Sequence, residues 1–131
     1  MSALSEGCDV LVVDDEEVVR NGVVRILGAA GWRVSSADSA GAAVSHPQLD
    51  RCRLVLCDLM LPDQPGTSVL AALRERGLTT PVVVITGYAT SDSIDEALAA
   101  GAAAVLAKPF DEEELLAAVG RVLGEARGDR Q

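Results

Sequence analysis

The sequence is short of aromatic residues, of basic charge and of long apolar runs, and each shortage narrows what the chain can be. Only 2% of its 131 residues are Phe, Trp or Tyr, so a core must be assembled from Val, Leu, Ile and Ala. Its 11 Lys and Arg stand against 20 Asp and Glu, a formal net charge of −9. Nucleic-acid binders draw much of their affinity from cationic contacts with phosphate. The Arg residues here are scattered among Asp and Glu, so direct nucleic-acid binding by this domain is not expected. No apolar run approaches the roughly 20 residues needed to cross a bilayer. The start, Met1 to Glu6, has no basic stretch followed by an apolar one. A cytoplasmic protein without membrane contact is expected. The three cysteines, Cys8, Cys52 and Cys57, are odd in number and irregular in spacing, with no Cys-x-x-Cys pair. Free thiols in a reducing compartment are expected, rather than a disulfide framework or a metal site.

What is present is a soluble composition, 49% hydrophobic, on a length that suits one domain. Short apolar runs alternate with longer amphipathic ones. The runs are Val10–Val13, a weaker Arg33–Ala37, Leu54–Cys57, Val82–Ile85 and Ala104–Ala107. Runs that are apolar at every position suit strands buried on both faces of a parallel sheet. Between them, Val19, Val23, Ile26, Leu27 and Ala30 repeat at helical spacing up to Gly31. Val69, Leu70 and Leu73 do so up to Gly77, and Ile94, Ala97 and Leu98 up to Gly101. Ser39 to Val44 is a short helix ahead of Pro47. A last stripe, Leu115, Val119, Val122 and Leu123, opens on Asp111 with Glu114 three residues on, the pattern of a capping box. Strand and helix thus alternate five times, and right-handed crossovers make this a doubly wound α/β sheet. The domain is expected to span residues 9–124, with residues 1–8 and 125–131 as flexible ends.

Ligands of open parallel sheets sit at the carboxyl ends of the strands. The first run is followed by Asp14 and Asp15, the third by Asp58, the fourth by Thr86 and the fifth by Lys108. Clustered carboxylates favour a bound hard cation or a raised pKa. Mg²⁺ is usually held by one or two carboxylates together with phosphate, and a carboxylate can itself attack phosphorus. Each residue alone has a plainer explanation. Asp14 and Asp15 could cap the first helix, with Glu16 and Glu17 favoured by its dipole. Asp58 could belong to a turn before Pro62 and Gly66, Thr86 could open a loop, and Lys108 could be a solvated lysine. Their joint occurrence at successive strand ends favours a phosphoryl-transfer site.

The runs VLVVDDEE (10–17), LVLCDLMLPDQPG (54–66), VVVITGYA (82–89) and GAAAVLAKPF (101–110) resemble those of response-regulator receiver domains of bacterial two-component systems. The resemblance implies a flavodoxin-like five-stranded parallel sheet in the order 2-1-3-4-5, flanked by five helices. It implies Asp58 as phosphoacceptor, with Thr86 and Lys108 binding the phosphoryl group. Mg²⁺ would be held by Asp14, Asp15, Asp58 and the backbone carbonyl of Met60. The Lys108–Pro109 bond is commonly cis in such domains. The implied partners are a sensor histidine kinase or phosphotransfer protein and a downstream protein or output domain. Such a domain is a signalling module and not a dedicated turnover enzyme.

One departure stands out. Receivers usually carry Tyr or Phe three residues before the lysine, where this chain has Val105. Tyr88 is the nearest aromatic, with an exposed loop tyrosine as the competing reading. Phe110 is expected in the core, and Trp32 and His46 at the surface or an edge. A phosphohydrolase of the haloacid dehalogenase type would need Asp-x-Asp after the first strand and a cap domain. Asp14-Asp15-Glu16 does not supply that pattern. A receiver-like interaction module that no longer takes phosphate is disfavoured by the intact set of five residues.

Overall fold

The computed structural model describes residues 8–87 and 89–124. Elements follow in the order β1 (Val10–Val13), α1 (Glu17–Ala29), β2 (Val34–Ala37), α2 (Ala40–Val44), β3 (Leu54–Asp58), α3 (Thr67–Glu75), β4 (Val82–Thr86), α4 (Ser91–Ala99), β5 (Ala104–Ala107) and α5 (Glu112–Leu123). The strands are parallel and form one sheet in the order β2-β1-β3-β4-β5. Every residue of β1, β3 and β4 is buried, which is why those segments read as unbroken apolar runs. Side chains alternate across the sheet. Leu11, Val13, Val55, Cys57, Val82 and Val84 pack toward α2, α3 and α4. Val10, Val12, Leu54, Leu56, Val83 and Ile85 pack toward α1 and α5. The weaker β2 run, with Ser35 and Ser36, lies at an edge and is only partly covered.

Gly31, Gly77 and Gly101 follow α1, α3 and α4 with φ of 100°, 77° and 107°, a region open to glycine at little cost. Asp111 and Glu114 form the expected capping box of α5, and Thr90 and Ser93 form another on α4. Lys108–Pro109 is cis.

Three expectations need correcting, and one element was not expected. Trp32 is buried at 5% exposure within the α1–α5 layer, and the Arg53 guanidinium lies 5.9 Å from its ring centre. Its neighbour Gly31 and the polar Arg33 disguise an apolar contact made across the molecule. Cys8 and Cys52 form a disulfide rather than free thiols. They sit two residues ahead of the paired positions Val10 and Leu54, so adjacent strands bring them together across 44 residues of sequence. Leu98, expected on the core stripe of α4, is exposed, and Ala97 is the buried residue of that helix. A single 3-10 turn, Leu49–Arg51, unsignalled in the sequence, buries Leu49 before β3.

Phe110 packs against the α1–α5 layer as expected. His46 is half-buried, and its Nδ1 accepts the Gln48 N–H at 3.0 Å. Residues 1–7, Tyr88 and residues 125–131, to which expectations were attached, lie outside the described residues, and Cys8 is buried. Among the described residues no helix is long and apolar enough to cross a membrane.

Candidate functional site

Sheet order decides what meets at the carboxyl edge. β1 delivers Asp14, β3 ends on Asp58 beside it, β4 ends on Thr86, and β5 leads into Lys108. The Lys108 N–H donates to the Thr86 carbonyl at 2.8 Å. From there the side chain reaches back across β4. Its Nζ donates to Asp58 Oδ2 at 2.8 Å and to Glu16 Oε1 at 2.7 Å, and lies 3.3 Å from Asp14 Oδ2. Asp14, Asp58 and Thr86 are buried.

Backbone amides hold the two aspartates. The Glu16 N–H donates to Asp14 Oδ1 at 2.8 Å, and the Met60 N–H donates to Asp58 Oδ1 at 3.0 Å. The loop after Asp58 doubles back through a bridge between Met60 and Pro65, closed by the Gly66 N–H donating to the Leu59 carbonyl at 2.7 Å. A Cβ at Gly66 would overlap the Asp58 carbonyl oxygen, so only glycine permits this approach. Asp63, at the outer end of the loop, accepts the Ala40 and Gly41 N–H groups at the start of α2. Those bonds hold its carboxyl below the ordinary range.

Burial pushes the Asp14 carboxyl up. The Glu16 N–H and the Lys108 ammonium oppose that, and the Asp58 charge adds to it. Burial works against the Lys108 ammonium as well. Its bonds to Asp58 and Glu16 and the charges of Asp58 and Asp14 outweigh that, holding it charged well above the usual lysine range. Burial, then the Asp58 and Asp14 charges, raise the neighbouring Cys57 thiol far above its ordinary value. That thiol therefore stays protonated and is no rival nucleophile.

Carboxylate oxygens of Asp14, Glu16 and Asp58 lie within 4.8 Å of one another. Among the described residues, Asp14 Oδ2 is buried without a hydrogen-bond partner. An acidic trio with one buried oxygen that accepts no hydrogen bond, and has only the ion pair to Lys108 at 3.3 Å, fits a hard, oxygen-seeking cation. A cleft of about 460 Å³ opens over it, lined by Asp15, Glu16, Asp58, Met60, Gly87 and Lys108. Asp15 and Met60 are exposed at this cleft. Thr86 is buried just before Gly87, and Val105 packs against the α2–α4 layer. Glu16 carries no separate site signal in the sequence. A third acid after Asp14-Asp15 reads as a complement to the α1 dipole, and only the reach of Lys108 gives it another role. A second, apolar cleft of about 590 Å³ adjoins the first and shares Glu16, Gly87 and Lys108 with it.

Residues 10–120 match the family model for the response regulator receiver domain, and the chain belongs to that family, a component of two-component signalling systems. It is 34% identical over 124 residues to the transcriptional regulatory protein FixJ of Azorhizobium caulinodans, covering 94% of this chain and 58% of that protein. It is 29% identical over 122 residues to the cell cycle transcriptional regulator CtrA of Caulobacter vibrioides, covering 93% and 53%. The chain thus spans about half the length of these curated relatives. Among solved structures, the chemotaxis response regulator CheY4 of Vibrio cholerae superposes with a TM-score of 0.82 at 30% identity, covering 88% of this chain and 98% of that one. The receiver domain of NtrX from Brucella abortus gives 0.80 at 31%, with the same coverage.

Proposed function

We propose that this receiver accepts a phosphoryl group on Asp58 from a phosphohistidine of a sensor kinase or phosphotransfer protein. The observation that carries the reading is the Asp58 carboxylate, fixed at one oxygen by the Met60 N–H and at the other by Lys108. In the transfer an Asp58 oxygen bonds to phosphorus. The P–N bond to the donor imidazole breaks, and its electron pair leaves with that nitrogen. Phosphoryl transfer rests mainly on positioning and on charge neutralisation, and Lys108 supplies fixed positive charge beside the acceptor. Thr86, at the end of β4, is the hydroxyl that would bond a phosphoryl oxygen as the attached group settles. Asp14, Asp15, Asp58 and the Met60 carbonyl would hold Mg²⁺, which when bound neutralises charge on the phosphoryl oxygens.

The apolar cleft along α1, with Val18 at 85% exposure on its wall, supports docking of a protein donor beside Asp58. The chain acts as a switch in the cytoplasm and not as a dedicated turnover enzyme. Its state is passed to a downstream protein or output domain, with no nucleic-acid contact by this domain. Incubation with acetyl phosphate and Mg²⁺ is expected to add one acid-stable, base-labile phosphoryl group, absent without Mg²⁺ and absent in Asp58→Asn. Unchanged labelling in Asp58→Asn would overturn the reading.

A further inference from the structure

Lys108 is the only lysine in the chain, and three acids surround its ammonium. An ammonium has three N–H donors. Two donate to Glu16 and Asp58, and the group also faces Asp14 at 3.3 Å. A phosphoryl group arriving on Asp58 therefore finds its lysine already held. As the lysine turns to the phosphoryl oxygens it loosens from its acidic neighbours, and these are not equivalent. The Asp14 and Asp58 side chains are 0% and 8% exposed, whereas that of Glu16 is 59% exposed. Phosphorylation itself removes the Asp58 carboxylate charge, whereas parting Lys108 from the buried Asp14 carboxylate leaves an uncompensated charge away from water, which is costly. Parting it from Glu16 returns an exposed carboxylate to solvent at little cost. Glu16 is also built to move. It is the N-cap of α1, its backbone is anchored through Asp14, and its side chain makes no capping bond. It stands at the seam of the two clefts, lining both.

We propose that Glu16 is a positioning residue that holds Lys108 over Asp58 in the resting state and yields it to the phosphoryl group. Loading of Asp58 by an anionic donor is thereby opposed twice. The lysine must be surrendered, and a carboxylate within 4.8 Å of the Asp58 oxygens repels the incoming charge. The proposal rests on Asp58 being the acceptor.

The lone lysine makes the test direct. Protein labelled with ¹³Cε,¹⁵Nζ-lysine gives one side-chain signal, that of Lys108. Wild type and Glu16→Gln are compared in the resting state and with beryllofluoride and Mg²⁺, which mimic the phosphoryl form. The two resting signals should differ and the two beryllofluoride signals should converge, because Glu16 no longer touches the lysine there. At saturating Mg²⁺ the apparent second-order rate of phosphorylation by acetyl phosphate should rise roughly two- to fivefold in Glu16→Gln, the size of one exposed charge interaction. That gain should shrink at high salt. A beryllofluoride-state signal that still responds to Glu16→Gln as the resting one does would overturn the proposal, as would an unchanged rate. If wild type forms neither a phosphoryl nor a beryllofluoride adduct, the failure lies with Asp58 as acceptor, and the inference falls with it.

Discussion

Asp14 is buried among its neighbours, and one of its oxygens has no hydrogen-bond partner among the described residues. Burial raises its folded pKa above the ordinary 3.8. The stability this carboxyl contributes is therefore present below 3.8 and is lost as pH rises through the higher folded value. At neutral pH without metal the ionised group is a burden on the fold. Asp14→Asn keeps an oxygen for the Glu16 N–H and removes the charge. In the presence of a chelator it should stabilise the protein at pH 7 by on the order of 1 kcal/mol. The gain should fade as pH drops toward the carboxyl range, where wild-type Asp14 takes up its proton. Urea unfolding at neutral and mildly acid pH measures it. A variant less stable at both would mean that the Lys108 contact outweighs burial. The same residue shows what is legible in sequence. Asp14, Asp58, Thr86 and Lys108 could be placed because each follows an apolar run, and a parallel sheet gathers such positions at one edge. Glu16 could not, because its partner is 92 residues away.

Elements were easiest to read where their signal is local. The α5 start is written in Asp111 and Glu114, whose side chains accept the Glu114 and Asp111 N–H groups at 2.8 and 2.9 Å. Asp111→Ala removes one of these bonds on an exposed turn and should cost about 1 kcal/mol. Asp111→Asn should retain most of that. Thermal unfolding separates the two, and equal losses would show that the side-chain oxygen is not what matters. Elements were misread where burial depends on distant packing. The α4 stripe of Ile94, Ala97 and Leu98 has helical spacing, yet at its contact with the sheet only Ala97 is fully covered and Leu98 faces outward. Trp32 shows the converse, since nothing in its neighbours Gly31 and Arg33 announces the α1–α5 layer it fills.

Across the whole molecule, the alternation of strands and helices determines most of the architecture. Unbroken apolar runs place β1, β3 and β4 inside, and the weak β2 run falls at an edge. The Cys8–Cys52 bridge closes the sheet at the end opposite Asp58. It depended on a register between β1 and β3 that cysteine counting cannot supply. What unites the fold with its proposed role is a single carboxylate at the centre of the opposite edge. An acyl phosphate, unlike a free carboxylate, is reduced by borohydride to an alcohol, so its position can be read from the chain. After loading with acetyl phosphate and Mg²⁺, borohydride reduction and peptide mass spectrometry should find homoserine at position 58 and nowhere else. Reduction at Asp14, Asp15 or Glu16 instead, or none in fully folded protein, would contradict Asp58 as the phosphoryl acceptor.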